Sequence, residues 1–95
     1  MDFEWDPEKA QANLDKHGVG FAEAITVFGD PLEVTIPDPD HSEDERRFLS
    51  LGLAETHRLL VVAYTERGTT IRIISAREAT PRERKSYEGS DNPTR

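Results

Sequence analysis

The chain has 95 residues, a third of them charged, a net charge of −7 and no cysteine. These figures exclude a disulfide framework, a thiolate nucleophile and a zinc–thiolate site, and they hold the fold to one domain with a small core, because a chain of this size buries only about 60–65% of its unfolded surface. No apolar run approaches the ~20 residues of a membrane-spanning helix and the start shows no signal-peptide pattern, so the expected location is cytoplasmic.

Phe3-Glu4-Trp5 alternates apolar and charged residues and predicts a short first strand. Asp6 then caps a helix whose first residue is Pro7. Ala10, Asn13, Leu14 and His17 recur at helical spacing, and Gly18 ends the helix. A second helix is predicted from about Gly20 to Phe28, with Phe21, Ala24, Ile25 and Phe28 as its apolar stripe; Gly29-Asp30-Pro31 stops it. Leu32 to Ile36 alternates as a strand does, and residues 37–45 form a polar loop. Arg46 to Leu53 is the next strand, followed by a turn at Glu55-Thr56-His57. Leu59 to Tyr64 is continuously apolar, the pattern of a central strand covered on both faces. Gly68 turns the chain into a strand over Ile71 to Ser75. Thr80-Pro81-Arg82-Glu83 carries an N-cap, a proline suited to the first helical position and a glutamate placed to close a capping box. The helix that follows is basic and almost without aliphatic residues, so it needs docking contacts to hold, Tyr87 among them. Residues 1–88 make the domain, and 89–95 read as a frayed tail.

One strand, two helices, an antiparallel four-stranded meander and a C-terminal helix define an α+β fold. Charge is unevenly spread along it. Residues 1–57 carry −10 and residues 58–88 carry +3. The asymmetry suggests a basic partner for the first half and an anionic one for the second; the plain alternative is an acidic excess that aids solubility.

Two blocks, FEWDPEKAQANLDKHGVGFAEAITVFGDP and VVAYTERGTTIRIISAREATPRERKSYE, together with Glu-Arg-Arg-Phe at 45–48, closely resemble the BrnT family of type II toxins. The resemblance spans about residues 3–88. It implies a RelE-like fold and a metal-independent endoribonuclease that arrests translation and uses no cofactor. It also implies a BrnA-like antitoxin in a 2:2 hetero-tetramer, with operator DNA bound only through the antitoxin. The overall acidity departs from strongly basic ribonuclease toxins and weakens electrostatic attraction to RNA, which suits a toxin that works with the ribosome or one of low activity.

Metal-free RNA cleavage needs a base for the 2′-OH, cations for the pentavalent phosphate and an acid for the leaving oxygen. Arg77, just past the strand end, is the first candidate for the phosphate clamp; it is otherwise half of an ion pair with a carboxylate. Arg67 at the preceding turn is the second, or an ordinary solvated turn residue. His17 is the candidate base or acid, because an imidazole titrates near neutral pH; it is otherwise a helix-end residue favoured by the dipole. Glu23 is a weaker candidate base; off the apolar stripe of its helix, it is otherwise simply an exposed surface residue. Arg72, Lys16, Arg82, Lys85 and Tyr87, with Arg84 beside them, are candidate RNA contacts, with Tyr87 stacking on a base or anchoring its own helix. Trp5 fits the core better than a stacking platform.

Two metal patterns fail. Asp38, Asp40, Ser42 and Asp44 match the early positions of a calcium loop, but Pro39 interrupts it, Glu43 replaces its glycine and Leu49 stands where the bidentate glutamate belongs. His17, His41 and His57 have no metal-ligand spacing. A different class of function stays open: a non-catalytic module that sequesters a basic DNA-binding partner and co-regulates transcription. A small-molecule enzyme finds no phosphate loop or triad pattern to support it.

Overall fold

Strand β1 (Asp2–Glu4) leads into helix α1 (Pro7–His17), one turn of helix α2 (Phe21–Ala24) and a 3-10 segment over Ile25–Gly29. Strands β2 (Val34–Pro37), β3 (Arg47–Leu53), β4 (Leu59–Arg67) and β5 (Thr70–Glu78) follow, and helix α3 (Pro81–Ser90) closes the chain. The structure, a computed structural model, describes residues 1–38 and 46–90. Of the loop expected at 37–45, Pro37 ends β2 and residues 39–45, with most of the calcium-like pattern, lie outside the described residues; of the tail expected at 89–95, Gly89 and Ser90 belong to α3 and the rest also lies outside.

The helix boundaries follow local chemistry. Asp6 accepts from the Glu8 N–H at 2.8 Å with Pro7 in the first turn, and Gly18, at φ 69°, donates its N–H to the Leu14 carbonyl. The expected second helix is shorter than its apolar stripe suggests. After Ala24 it tightens to 3-10 geometry through Ile25-Thr26-Val27, where β-branched side chains are stiff. Thr26 donates its hydroxyl to the Glu23 carbonyl and accepts from the Glu55 N–H, tying this segment to the β3–β4 turn.

Strands β2 to β5 form the expected antiparallel meander. The first strand joins the same sheet, parallel to β5, giving the order β1-β5-β4-β3-β2. With β1 at one edge and β2 at the other, the α1–α2 connection must cross the whole inner face, a span of about 19 Å at 4.8 Å per strand. Val19, Phe21, Ala24 and Val27 from this connection meet Leu60, Val62, Tyr64, Ile71, Ile73 and Ala76 in one core. Aromatic rings close its border: Trp5 packs edge-on against Phe21, and Tyr64 lies between Phe28 and Phe48. Trp5 is thus a packing residue. Leu14, on the predicted apolar face of α1, is 46% exposed, and Asn13 points inward in its place.

Asn13 explains how α1 is fixed. β1 pairs β5 only over Thr70–Arg72, leaving the later edge of β5 without a neighbouring strand. The Asn13 side chain accepts from the Ala76 N–H and donates to the carbonyls of Ala76 and Val19. One amide therefore does for β5 what a further strand residue would do, satisfying edge groups that are costly to bury unpaired.

Candidate functional site

The outer face of the sheet, opposite the core, divides into a cationic and an apolar half. The division depends on a β-bulge. Ala63 pairs with Ser75 but Tyr64 pairs with Ile73, so Ile74 is an extra residue in β5. Arg72 and Arg77 have an odd separation and would leave a regular strand on opposite faces. The extra residue brings both to the outer face, while Ile71, Ile73 and Ala76 all reach the core.

At one level of this face, Glu4, Arg72, Thr65 and Arg47 stand side by side on β1, β5, β4 and β3. Arg72 is ion-paired to Glu4 at 2.5 Å. Thr65, between the two arginines, is 1% exposed, and its hydroxyl has no hydrogen-bond partner among the described residues. Arg77 lies about 13 Å further along, opposite Val61 rather than Thr65.

Arg77 is clamped by the start of α3. Its two terminal nitrogens each donate to a different oxygen of Glu83 at 2.8 Å. Glu83 also accepts from the Thr80 N–H, and Thr80 Oγ1 accepts from the Glu83 N–H, so the capping box forms as its residues predict. The Arg77 hydrogen bonds hold the Glu83 carboxyl at about 2, against the opposing effect of burial. The carboxylate reading of Arg77 is therefore realised in this state of the molecule. A fork that binds a carboxylate in two places has the shape to bind a phosphate likewise.

Tyr87 docks α3. Its hydroxyl donates to Asp30 Oδ2 at 2.6 Å, and the same oxygen accepts from the Leu53 N–H. Burial pushes the Asp30 carboxyl up, but hydrogen bonds from Leu53, Tyr87 and Leu32 outweigh it and hold the carboxyl below the usual aspartate range. Arg84 and Lys85 are exposed on the same helix and Arg82 is too.

The other candidates lie apart. Arg67 pairs with Thr70 at the β4–β5 turn, about 20 Å along the hairpin from Arg77, so the two cannot hold one phosphate together. His17 ends α1, half-buried, next to Gly18, whose carbonyl accepts from Arg58. Lys16 is exposed beside it. Glu23, expected on the surface, is mostly buried. Arg58 binds it with Nη2 at 2.5 Å and Nε at 2.8 Å, reaches the Gly18 carbonyl at 2.9 Å and approaches Glu78 at 3.5 Å. These hydrogen bonds lower the Glu23 carboxyl, overcoming desolvation, and Thr56 adds another. Glu23 is thus a staple between α2 and the start of β4. Among the described residues, no group of three or more His, Cys, Asp or Glu side chains is arranged to hold a metal.

Two residues of this arrangement escape sequence reasoning. Arg58 precedes an apolar run and looks like a solvated turn residue; only the fold brings Gly18, Glu23 and Glu78 around it. Arg47 shares its strand face with Leu49, Leu51 and Leu53, a period-two signal that puts it on the outer face, and the pairing with β4 then sets it beside Thr65 and at the level of Arg72.

Residues 5–83 match the family described as the ribonuclease toxin BrnT of type II toxin–antitoxin systems. The chain belongs to this family. The crystal structure of the Brucella abortus ribonuclease toxin BrnT is similar in fold, with a TM-score of 0.67 and 24% identity, over 84% of this chain and 97% of that one. No match was found among curated proteins. BrnT membership makes the chain a ribonuclease toxin with an antitoxin partner, as the resemblance of the two sequence blocks implies. The α+β architecture expected for it is also the one found, with five strands in a single sheet. No described helix is long and apolar enough to cross a membrane.

Proposed function

We propose that this BrnT-family chain cleaves RNA internally by 2′-OH attack, without a metal or other cofactor, on the outer face of its sheet. The observation that carries this is the bulge-dependent alignment of Arg72 and Arg77 on one face, with Arg47 at the level of Arg72. Arg77 takes the scissile phosphate when Glu83 yields its guanidinium, and Arg72 and Arg47 bind phosphates further along the strand. Arg67, at the far turn, meets the flank of the RNA. Arg82 and Lys85 add charge from α3, and Lys16 does so from the end of α1, beside His17. Tyr87 positions α3 through Asp30. His17 is the candidate acid or base and acts around the end of β5. Its action in the cytoplasm arrests translation, in a RelE-like manner, and a BrnA-like antitoxin in a 2:2 assembly neutralises it and carries the pair to operator DNA.

The direct test is cleavage of a labelled single-stranded RNA in EDTA, with Arg77→Ala alongside. Cutting by the parent and loss of at least about a hundredfold in the variant is the expected result for a lost phosphate contact. Equal cutting by both removes Arg77 from the site. No cutting by either moves the assay to translating ribosomes. One observation favours a second reading, the non-catalytic binding module: Arg77 is held in a two-point ion pair with Glu83. Growth arrest on expression without the antitoxin separates the two, since the module causes none.

A further inference from the structure

The apolar half of the outer face runs to an open edge. Val34 and Ile36 of β2 stand opposite Leu51 and Leu49 of β3, and Val61 of β4 stands opposite Leu51. With Glu83 and Ser86 of α3 they line a groove of about 230 Å³. Ile36, at its rim, is 49% exposed. β2 is the last strand of the sheet, so the N–H and C=O of Thr35 and the carbonyl of Pro37, which has no N–H to offer, face outward, with no further strand beside them among the described residues. An apolar floor beside an unpaired strand edge is the combination that accepts an added strand.

Charge selects the occupant. No Lys or Arg occurs anywhere in residues 17–45, whereas eight Asp or Glu do. Glu23 and Asp30 are engaged inside the fold, but Glu33 stands immediately before β2, and its carboxylate accepts from the Thr35 hydroxyl of the same edge with no ion pair to a cation among the described residues. A polyanion is repelled by this edge. An extended protein segment that alternates apolar residues with Lys or Arg is attracted to it, because one set of side chains fills the groove while the other meets the acidic rim.

We propose that the β2 edge and this groove are the docking site of the antitoxin, which adds a strand beside β2, covers Ile36 and Leu49, and directs a cation to Glu33. The partner's identity rests on the toxin reading; the surface and its chemistry do not. The same strand would lie against the groove wall formed by Glu83, the residue that holds Arg77, so the docked partner sits beside the clamp.

The experiment is calorimetric titration of the purified chain with the small protein encoded by the neighbouring reading frame. Ile36→Lys is expected to weaken binding by at least about tenfold, the scale of a lost central apolar contact. Glu33→Lys is expected to weaken it about threefold or more and to flatten its dependence on salt. Leu14→Lys, which changes an equally exposed apolar residue on α1, is expected to leave binding within about twofold. Thermal unfolding of each variant confirms that it is folded. Binding of Ile36→Lys within about twofold of the parent overturns the proposal. So does an equal loss in Leu14→Lys, or a tenfold change in single-stranded RNA affinity for Ile36→Lys with partner binding intact. Because binding is read directly, a chain that cuts no RNA removes the ribonuclease reading and leaves the docking surface standing.

Discussion

Glu83 carries two duties, one in the capping box of α3 and one in the ion pair with Arg77. A glutamate ordinarily titrates near 4.5, and Glu83 is held at about 2. A depressed folded value means that the pair contributes fully above about pH 5 and that its contribution fades as the pH falls towards 2. Glutamine can still close the box, so Glu83→Gln isolates the charge. The variant is expected to lose about 1 kcal/mol at pH 7, after solvent screening of a partly exposed pair, and only a small fraction of that near pH 2. Urea melts at the two pH values check this, and an equal loss at both would refute it. His57 makes a second residue-scale case. It turns the chain between β3 and β4 at φ 70°, a conformation that costs an ordinary side chain energy. His57→Gly is expected to be neutral or to stabilise by about 0.5 kcal/mol, read as a shift in the denaturation midpoint.

The elements are joined at single points. α1 is held to β5 by Asn13, so Asn13→Ala is expected to cost about 3 kcal/mol, because it leaves buried backbone groups of Ala76 and Val19 unpaired. Urea denaturation with an unchanged m-value would confirm a loss confined to the native state. The 3-10 segment packs so closely on β3 that a Cβ at Gly52 would stand 2.7 Å from Val27 Cγ1. Val27 is fully buried and has nowhere to move, so Gly52→Ala is expected to cost about 1–3 kcal/mol through overpacking. α3 depends on Tyr87 and the Arg77–Glu83 pair more than on its own sequence. In Tyr87→Phe the amides of α3 are expected to exchange faster by hydrogen exchange while those of β4 keep their protection.

At the scale of the molecule, the two faces of one sheet do different work. The inner face is a core closed by helices that must run from edge to edge. The outer face places cations at one level and an apolar ladder at another, with Arg77 at the far end of the ladder, level with Val61 and Leu51 and clamped by α3. If RNA follows the cationic half, then Arg72→Ala and Arg47→Ala are expected to raise KM several-fold with a shallower salt dependence, whereas Arg67→Ala changes it less. Salt titrations of the RNA affinity of all three variants test that order.

Much of this protein was determined by sequence alone. The caps at Asp6, Gly18 and Thr80, the alternation of β3, the doubly covered β4 and the α+β class follow from local rules, because caps and strand periods depend on near neighbours. The two family-like blocks also name the family without coordinates. What only the tertiary structure decided are relations between distant residues. Local pattern cannot show that β1 lies parallel to β5, that Asn13 rather than Leu14 faces inward, or that Glu23 is buried against Arg58. Nor can it show that one extra residue in β5 turns Arg77 to the face of Arg72 while α3 returns a carboxylate to meet it. A one-residue change of register reverses every side chain beyond it, and pairing across the sheet is what fixes the register.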